Sequence, residues 1–193
     1  NERELKEAAA KIQNALRSFG VRVTVTNISY GSAVTQYELQ PEQGVKISQI
    51  KKLSDDIRLN LAATDIHIEA PIPGKAAIGV EVPNKENTPV ILRELLESEE
   101  FKKHKSRLAF AVGKNIRGQI VVSDIAKMPH MLISGTTGSG KSVFINNIIM
   151  SVLYKSDPKD VKFMMISPNN CGLSIYNGIP HLLIPVVTDP KKA

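Results

Sequence analysis

Eight consecutive residues constrain this chain more than any others: Gly135, Thr136, Thr137, Gly138, Ser139, Gly140, Lys141 and Ser142. They satisfy the pattern G-x-x-x-x-G-K-[ST] at every fixed position. Apolar Met131-Leu132-Ile133 precedes them, and an apolar helical stretch from Val143 to Leu153 follows. The order strand, glycine loop, helix predicts an α/β unit with the loop at a helix N-terminus. Glycines at 135, 138 and 140 allow a tight turn whose N–H groups are not screened by side chains. The helix starting near Lys141 directs the positive end of its dipole at the same place. Such a loop suits the phosphates of ATP. Lys141 would reach the β- and γ-phosphates, and the Ser142 hydroxyl would take a place on Mg²⁺. A chance glycine turn ahead of a helix is the competing reading, and the flanking strand and helix argue against it.

The 193 residues are enough for one large domain or two small ones, and 42% apolar content is enough for a core. The start, Asn1-Glu2-Arg3-Glu4-Leu5-Lys6-Glu7, is charged and helical and unlike a signal peptide. No apolar run is long enough to span a membrane. The single Cys171 excludes an internal disulfide and fits a reducing cytoplasm. Of the net charge of +6, four units fall in residues 125–193, which suits a polyanionic partner such as nucleotide or nucleic acid.

Before the loop, the pattern reads helix-strand-strand twice, over residues 4–40 and 48–82. Leu5, Ala8, Ala9, Ile12, Leu16 and Phe19 recur at helical spacing, with Gly20 as a stop. Strands are predicted over Val21–Ile28 and Ala33–Leu39. Ser48 is placed to cap a helix carrying Ile50, Leu53, Ile57 and Leu61, and strands over Asp65–Glu69 and Ala76–Val82 follow. An antiparallel sheet with both helices on one face would bury both apolar stripes. Such a unit needs no cofactor and reads as an interaction or assembly domain.

Further on, a short helix carries Leu92, Leu95 and Leu96, and Ser98 starts another through Phe101. The basic run Lys102-Lys103-His104-Lys105-Ser106-Arg107 has two readings. One is a phosphate-contacting patch. The other, favoured by the nearby Glu97, Glu99 and Glu100, is a solvated helix end. A hairpin is predicted over Arg107–Val112 and Gln119–Asp124, and its turn holds Lys114 and Arg117, which either touch a ligand or serve solubility. Val161–Ile166 reads as a strand buried on both faces in a parallel sheet. The polar loop Ser167-Pro168-Asn169-Asn170-Cys171-Gly172 follows at the edge where such sheets bind ligands.

Several of these stretches resemble one family, the FtsK/SpoIIIE double-stranded DNA translocases of bacteria. They are Lys127-Met128-Pro129-His130-Met131-Leu132-Ile133, the glycine loop, Tyr176-Asn177-Gly178-Ile179-Pro180-His181-Leu182-Leu183 and the run from Pro185 to Ala193. In the first half they are Val34-Thr35-Gln36-Tyr37-Glu38-Leu39, Gly44-Val45-Lys46 and Ile72-Pro73-Gly74-Lys75. The resemblance implies a motor module: an α+β two-layer assembly subdomain over residues 1–122, then the start of a RecA-like P-loop subdomain over 123–193. It implies a homo-hexameric ring that moves double-stranded DNA with ATP in chromosome segregation, at division or sporulation. Lys141 would be the Walker A lysine and Ser142 the Mg²⁺ hydroxyl.

Two departures stand out. The family usually has Asp-Pro-Lys where this chain has Ser167-Pro168-Asn169, and Glu where it has Gly172. The resemblance also places the Walker B strand, most pore loops, the winged-helix domain and the membrane-spanning region outside this chain. Phosphoryl transfer needs a cradle, a metal, a residue that orients water and a cation at the developing charge. The chain offers the cradle and one metal ligand, and no catalytic residue is identifiable in it. Asp189 reads as an N-cap before Pro190-Lys191-Lys192, Cys171 as an inert thiol, and His67, His104, His130 and His181 lack metal spacing. The expectation is an ATP-binding piece of a translocase with negligible turnover of its own. The alternative is a ring-forming scaffold in which the glycine loop is idle.

Overall fold

The computed structural model describes residues 2–128, 130–168 and 172–192. The chain divides into two compact units: Asn1–Pro89 with Lys114–Gln119, and Val90–Gly113 with Ile120–Ala193. Helices and both parallel and antiparallel strand pairings occur, so the fold is mixed α/β.

The first unit opens with α1 (Glu2–Ser18), which carries Glu2 and Glu4 in its first turn, Arg17 in its last, and buried Ala9, Ile12, Ala15 and Leu16 on one side. It ends as the apolar spacing requires. Gly20 takes φ +75°, its N–H donates to Arg17 O (2.9 Å), and Val21 N–H donates to Leu16 O (3.0 Å). This is a Schellman closure, which favours glycine because the left-handed residue has no Cβ to clash. Strands β1 (Val23–Tyr30), β2 (Val34–Pro41), β3 (His67–Glu69) and β4 (Ile78–Pro83) form a sheet in the order β1-β2-β4-β3, antiparallel throughout. The second predicted helix is two: α2 (Ile47–Lys52) and α3 (Ser54–Leu61). Leu53, at φ −94° and ψ 14°, bends the chain between them. The N-cap is Lys46 rather than Ser48, and its N–H is met by the Gln49 carboxamide (2.9 Å).

Both helical segments lie on one face of the sheet. Ile12, Leu16, Ile50 and Ile57 share a buried cluster with Val23, Tyr37, Leu39, Ile78 and Val80. The other face is polar: Gln36 Nε2 donates to Glu69 Oε2 (3.2 Å) and Glu81 Oε1 (3.1 Å). Lys75 Nζ donates to both oxygens of buried Glu38 (2.7 and 2.9 Å). That bidentate partner holds the Glu38 carboxyl below its ordinary range.

Removal of Lys75 leaves a buried carboxylate with the weaker Asn27 amide, at 3.3 Å, and the charge of Arg117 to hold it. Lys75 itself is 37% exposed along its side chain, so solvent tempers the loss. Lys75→Ala is expected to destabilise the chain by about 2 kcal/mol at neutral pH. A carboxyl whose folded pKa is depressed contributes stability above its unfolded pKa and loses it as pH falls through the folded one. The wild-type advantage over Lys75→Ala should therefore shrink below the usual carboxylate range. Urea melts of the two proteins at neutral and acidic pH check this; a gap that does not depend on pH counts against the ion pair.

The second unit contains α4 (Leu92–Leu96), α5 (Glu99–Lys102), the paired strands β5 (Ala109–Lys114, all but its last residue) and β6 (Ile120–Asp124), and α6 (Lys141–Lys155). Short 3-10 turns cover Ile125–Lys127, Leu173–Tyr176 and Pro190–Lys192. Ser98 caps α5 as expected, accepting from Phe101 N–H at 3.2 Å. Leu95, Leu96, Phe101, Ala109 and Ala111 form one buried cluster, and Ile149, Met165, Tyr176 and Val186 another.

The parallel pairing is shorter than the sequence suggests. It consists of bridges Phe163–Leu182 and Ile166–Val187, held by Phe163 N–H to His181 O (2.7 Å) and Val187 N–H to Met165 O (2.9 Å). Met165 is buried while Met164 and Ile166 are 70% and 55% exposed, so this segment is covered on one face, not two. Met131-Leu132-Ile133 is not a strand here. Leu132 is 93% exposed, and among the described residues no strand pairs with this stretch. A strand needs a neighbour for its N–H and C=O groups, and apolar composition alone does not supply one. Among the described residues no helix is long and apolar enough to cross a membrane.

Candidate functional site

The glycine loop is an exposed turn running into α6. Its three glycines are there for two different reasons. Gly138 (φ +81°) and Gly140 (φ +95°) occupy the left-handed region, where an L side chain is strained. Gly135 is free of that constraint, but a Cβ on it would run into Ser139 Oγ. Ser139 N–H donates to Thr136 O (3.2 Å) and closes the turn. Gly140 is the N-cap of α6, and Phe144 N–H donates to its carbonyl (2.9 Å) as the helix begins. A glycine cap brings no side-chain acceptor for the first-turn N–H groups, which lack intrahelical partners in any α-helix. The helix therefore presents donors and a positive dipole end to whatever sits over the loop.

Lys141 folds back across that opening. Its Nζ donates to Gly135 O (2.6 Å) and Thr136 O (2.8 Å). The loop thus holds a cation at its mouth, on two carbonyls it can exchange for stronger anionic acceptors. Ser142, the next residue, is exposed. The unscreened turn, the first-turn N–H groups of α6 and the Lys141 ammonium together have chemistry that fits a phosphate chain. A single neutral hydroxyl is a thin ligand set for a metal. It fits Mg²⁺, which usually arrives on substrate phosphates with most of its shell as water.

Other residues singled out by sequence turn out to be structural. Lys103 pairs with Glu99 (2.8 Å), Arg107 pairs with Asp160 (2.7 Å), and His104 Nδ1 accepts from Ser106 N–H (3.2 Å). The Lys103–Glu99 pair, four residues apart, is what a solvated helix end shows, while Arg107 finds its partner far along the chain. Arg117 sits where its charge acts on Glu38, within the first unit. Asp189 Oδ1 accepts from Lys191 N–H (3.0 Å), as a cap does. His181 is buried with Nε2 at 2.7 Å from Ser156 O. Among the described residues no group of His, Cys, Asp or Glu is arranged to hold a metal.

Ser167 is buried and donates its N–H to Val187 O (2.8 Å), and Gly172 takes φ +80°. Asn169, Asn170 and Cys171 lie outside the described residues, as do Asn1, Pro129 and Ala193.

The sequence reading missed three polar anchors. Tyr176 Oη donates to Asn146 Oδ1 on α6 (2.7 Å), and burial pushes this phenol up. Asp124 accepts from Ser106 Oγ (2.8 Å) and Ala126 N–H (2.9 Å), and the serine hydroxyl leads in holding its carboxyl below the ordinary range. Asn147 and Ser151 bond to the backbone of Ala111. Polar residues four apart on an otherwise apolar helix were the available signal for the last pair.

Residues 91–193 match the FtsK/SpoIIIE family, and residues 1–84 match the FtsK alpha domain. The chain belongs to the FtsK/SpoIIIE family. It is 59% identical over 193 residues to the DNA translocase FtsK of Clostridium tetani, covering all of this chain and 26% of that protein. It is 53% identical over 193 residues to the DNA translocase SpoIIIE of Bacillus subtilis, covering all of this chain and 24% of that one. The chain thus spans about a quarter of the length of these curated relatives. Among solved structures it is similar to the pCW3 conjugation coupling protein TcpA, monomer form with ATPγS, at 17% identity and a TM-score of 0.37, over 94% of this chain and 50% of that one. A likeness of that size bears on neither fold nor function.

Proposed function

We propose that residues 135–142 bind ATP with Mg²⁺, and that the whole protein is an ATP-driven translocase of double-stranded DNA that acts in chromosome segregation. The observation that carries this reading is the Lys141 ammonium held over a two-glycine left-handed turn at the N-terminus of a 15-residue helix. The glycines keep the loop free of side chains, the first-turn amides of α6 would donate to a phosphate chain, and Lys141 would exchange Gly135 O and Thr136 O for phosphate oxygens. Ser142, exposed in the first turn of α6, would offer its hydroxyl to a nucleotide-borne Mg²⁺. When bound, the metal and triphosphate supply the transferable phosphoryl group and neutralise charge as it develops. Family membership supports the extension to DNA, because the relatives named above are DNA translocases.

In this reading residues 1–122 build a homo-hexameric ring and residues 123–193 begin a RecA-like ATPase subdomain. The module works in the cytoplasm, and the whole protein is anchored in the cell membrane. Titration of the chain with a fluorescent ATP analogue and Mg²⁺ tests the nucleotide site directly: saturable binding competed by ATP supports it, and no binding at millimolar nucleotide defeats it.

Turnover is a separate matter. Ser167, Asn169 and Gly172 put no carboxylate or cation in the run 167–172 that follows Val161–Ile166. The 193-residue chain is expected to release phosphate at no more than background rate, with or without duplex DNA. A coupled phosphate assay checks this, and robust DNA-stimulated release from this chain contradicts it.

A further inference from the structure

Helix α6 carries two asparagines in a row, and each is held by a different neighbour within the second unit. Tyr176 Oη donates to Asn146 Oδ1 (2.7 Å). Asn147 Nδ2 donates to Ala111 O on β5 (2.6 Å), and Ser151 Oγ, one turn further on, accepts from Ala111 N–H (3.2 Å). Successive side chains leave an α-helix about 100° apart around its axis. The two asparagines therefore grip α6 from two directions. The apolar contacts of Ile148, Ile149 and Val152 bury the helix, but they are non-directional and tolerate a small rotation. Hydrogen bonds are directional, and a turned helix would strain both of these.

Tyr176 stands on a firm base. Its ring is buried with Ile149, Met165 and Val186. The next residue, Asn177, accepts Val186 N–H at its Oδ1 (2.8 Å) and closes its own N–H on Ser174 O (3.1 Å). A side chain locked in this way can hold another in place. On α6, Ser142, Asn146 and Ile149 follow at four- and three-residue spacing, so they share a face. Ser142 is thus one turn from the asparagine that Tyr176 holds. Lys141, with its Nζ on Gly135 O and Thr136 O, is the next residue back along the chain.

We propose that Tyr176 and Asn146 are positioning residues of the phosphate site: their hydrogen bond, together with the Asn147–Ala111 bond, sets the rotation of α6 and so the direction in which Lys141 and Ser142 leave the helix. The ligand in this role rests on the phosphate-loop reading above. The control over the loop's geometry is measurable without any ligand.

Tyr176→Phe removes one oxygen and keeps the ring in its cluster. In the nucleotide-free 193-residue chain it should shift the backbone amide resonances of 139–142, a full turn or more from the lost hydroxyl. In a titration with a fluorescent ATP analogue and Mg²⁺ it should weaken binding about tenfold. Asn146→Ala should do the same, and the double variant should bind no more weakly than either single one, because both changes remove one bond. Val186→Ala trims the same cluster and leaves the bond in place. It should lower the melting temperature while the resonances of 139–142 and the nucleotide affinity stay as in the wild type.

Resonances of 139–142 that stay put in Tyr176→Phe overturn the proposal whether or not nucleotide binds. Unchanged affinity in Tyr176→Phe overturns it too, as do losses that add in the double variant or that Val186→Ala reproduces. A wild-type chain that binds no nucleotide at millimolar concentration counts against the phosphate-loop reading alone, and the resonances then decide whether this bond sets the loop.

Discussion

Lys141→Ala is expected to cost the chain about 100-fold or more in affinity for Mg²⁺-ATP and, under the proposed function, to abolish ATP-driven DNA movement by the whole protein. Two opposed effects set the size. The ammonium leaves two exposed hydrogen bonds, to Gly135 O and Thr136 O, when it turns to phosphate. Each is worth about 1 kcal/mol net, and the freed carbonyls are rewetted by solvent. Against this, a charge-assisted bond from lysine to a phosphate oxygen contributes about 1.5–3 kcal/mol, and the ammonium reaches more than one oxygen. The gain wins, and it grows as charge develops on the transferred phosphoryl group. The variant should fold normally, since Lys141 supports no buried cluster. Binding titration and a melting curve on the same sample separate lost recognition from lost structure. Unchanged nucleotide affinity in a folded Lys141→Ala chain would remove the basis of the proposed function.

Local chemistry made some of this structure readable in advance. Helix α1 and its stop at Gly20 follow from a four-residue apolar spacing and one residue that tolerates positive φ. The Ser98 cap, the Asp189 cap and the turn glycines are likewise decided within a few residues. The two-layer N-terminal arrangement was legible too, because two apolar helical stripes and a set of alternating strands have few ways to bury each other.

What depended on partners far along the chain was not legible. Val161–Ile166 was read as a central strand, yet only the face of Phe163 and Met165 is covered, and Lys162, on the other face with exposed Met164 and Ile166, was the one local sign of it. Leu132 belongs to the same case. Arg117 read as a turn cation that either touches a ligand or serves solubility, but its charge acts on Glu38, almost eighty positions earlier in the sequence. At the glycine loop the residues and the turn were anticipated. That Lys141 rests on the loop's own carbonyls was not, because the pattern encodes the bound arrangement.

Leu39→Ala should remove a large part of the stability of the N-terminal unit while leaving the glycine loop's own unit intact. Leu39 is fully buried on β2, the strand between β1 and β4, and lies opposite Val25 on one side and Ile78 on the other. It belongs to the cluster that holds Ile12, Leu16, Ile50 and Ile57 against the sheet. A leucine cut back to alanine among partners from two strands and several helical segments leaves a cavity that cannot readily close, at a cost of about 3–4 kcal/mol. A unit of this size has only about 5–14 kcal/mol in total. Its melting temperature should fall by about 12–25 °C. The clusters around Phe101 and Met165 share no residue with the one that is damaged. Calorimetry should therefore show an early transition that the wild type lacks, followed by one near the wild-type position. Below the first transition the variant should still bind Mg²⁺-ATP. A single transition shifted as a whole would mean that the two units unfold as one. A shift of only a degree or two would mean that the sheet repacks around the lost side chain and that Leu39 is not the keystone its burial indicates.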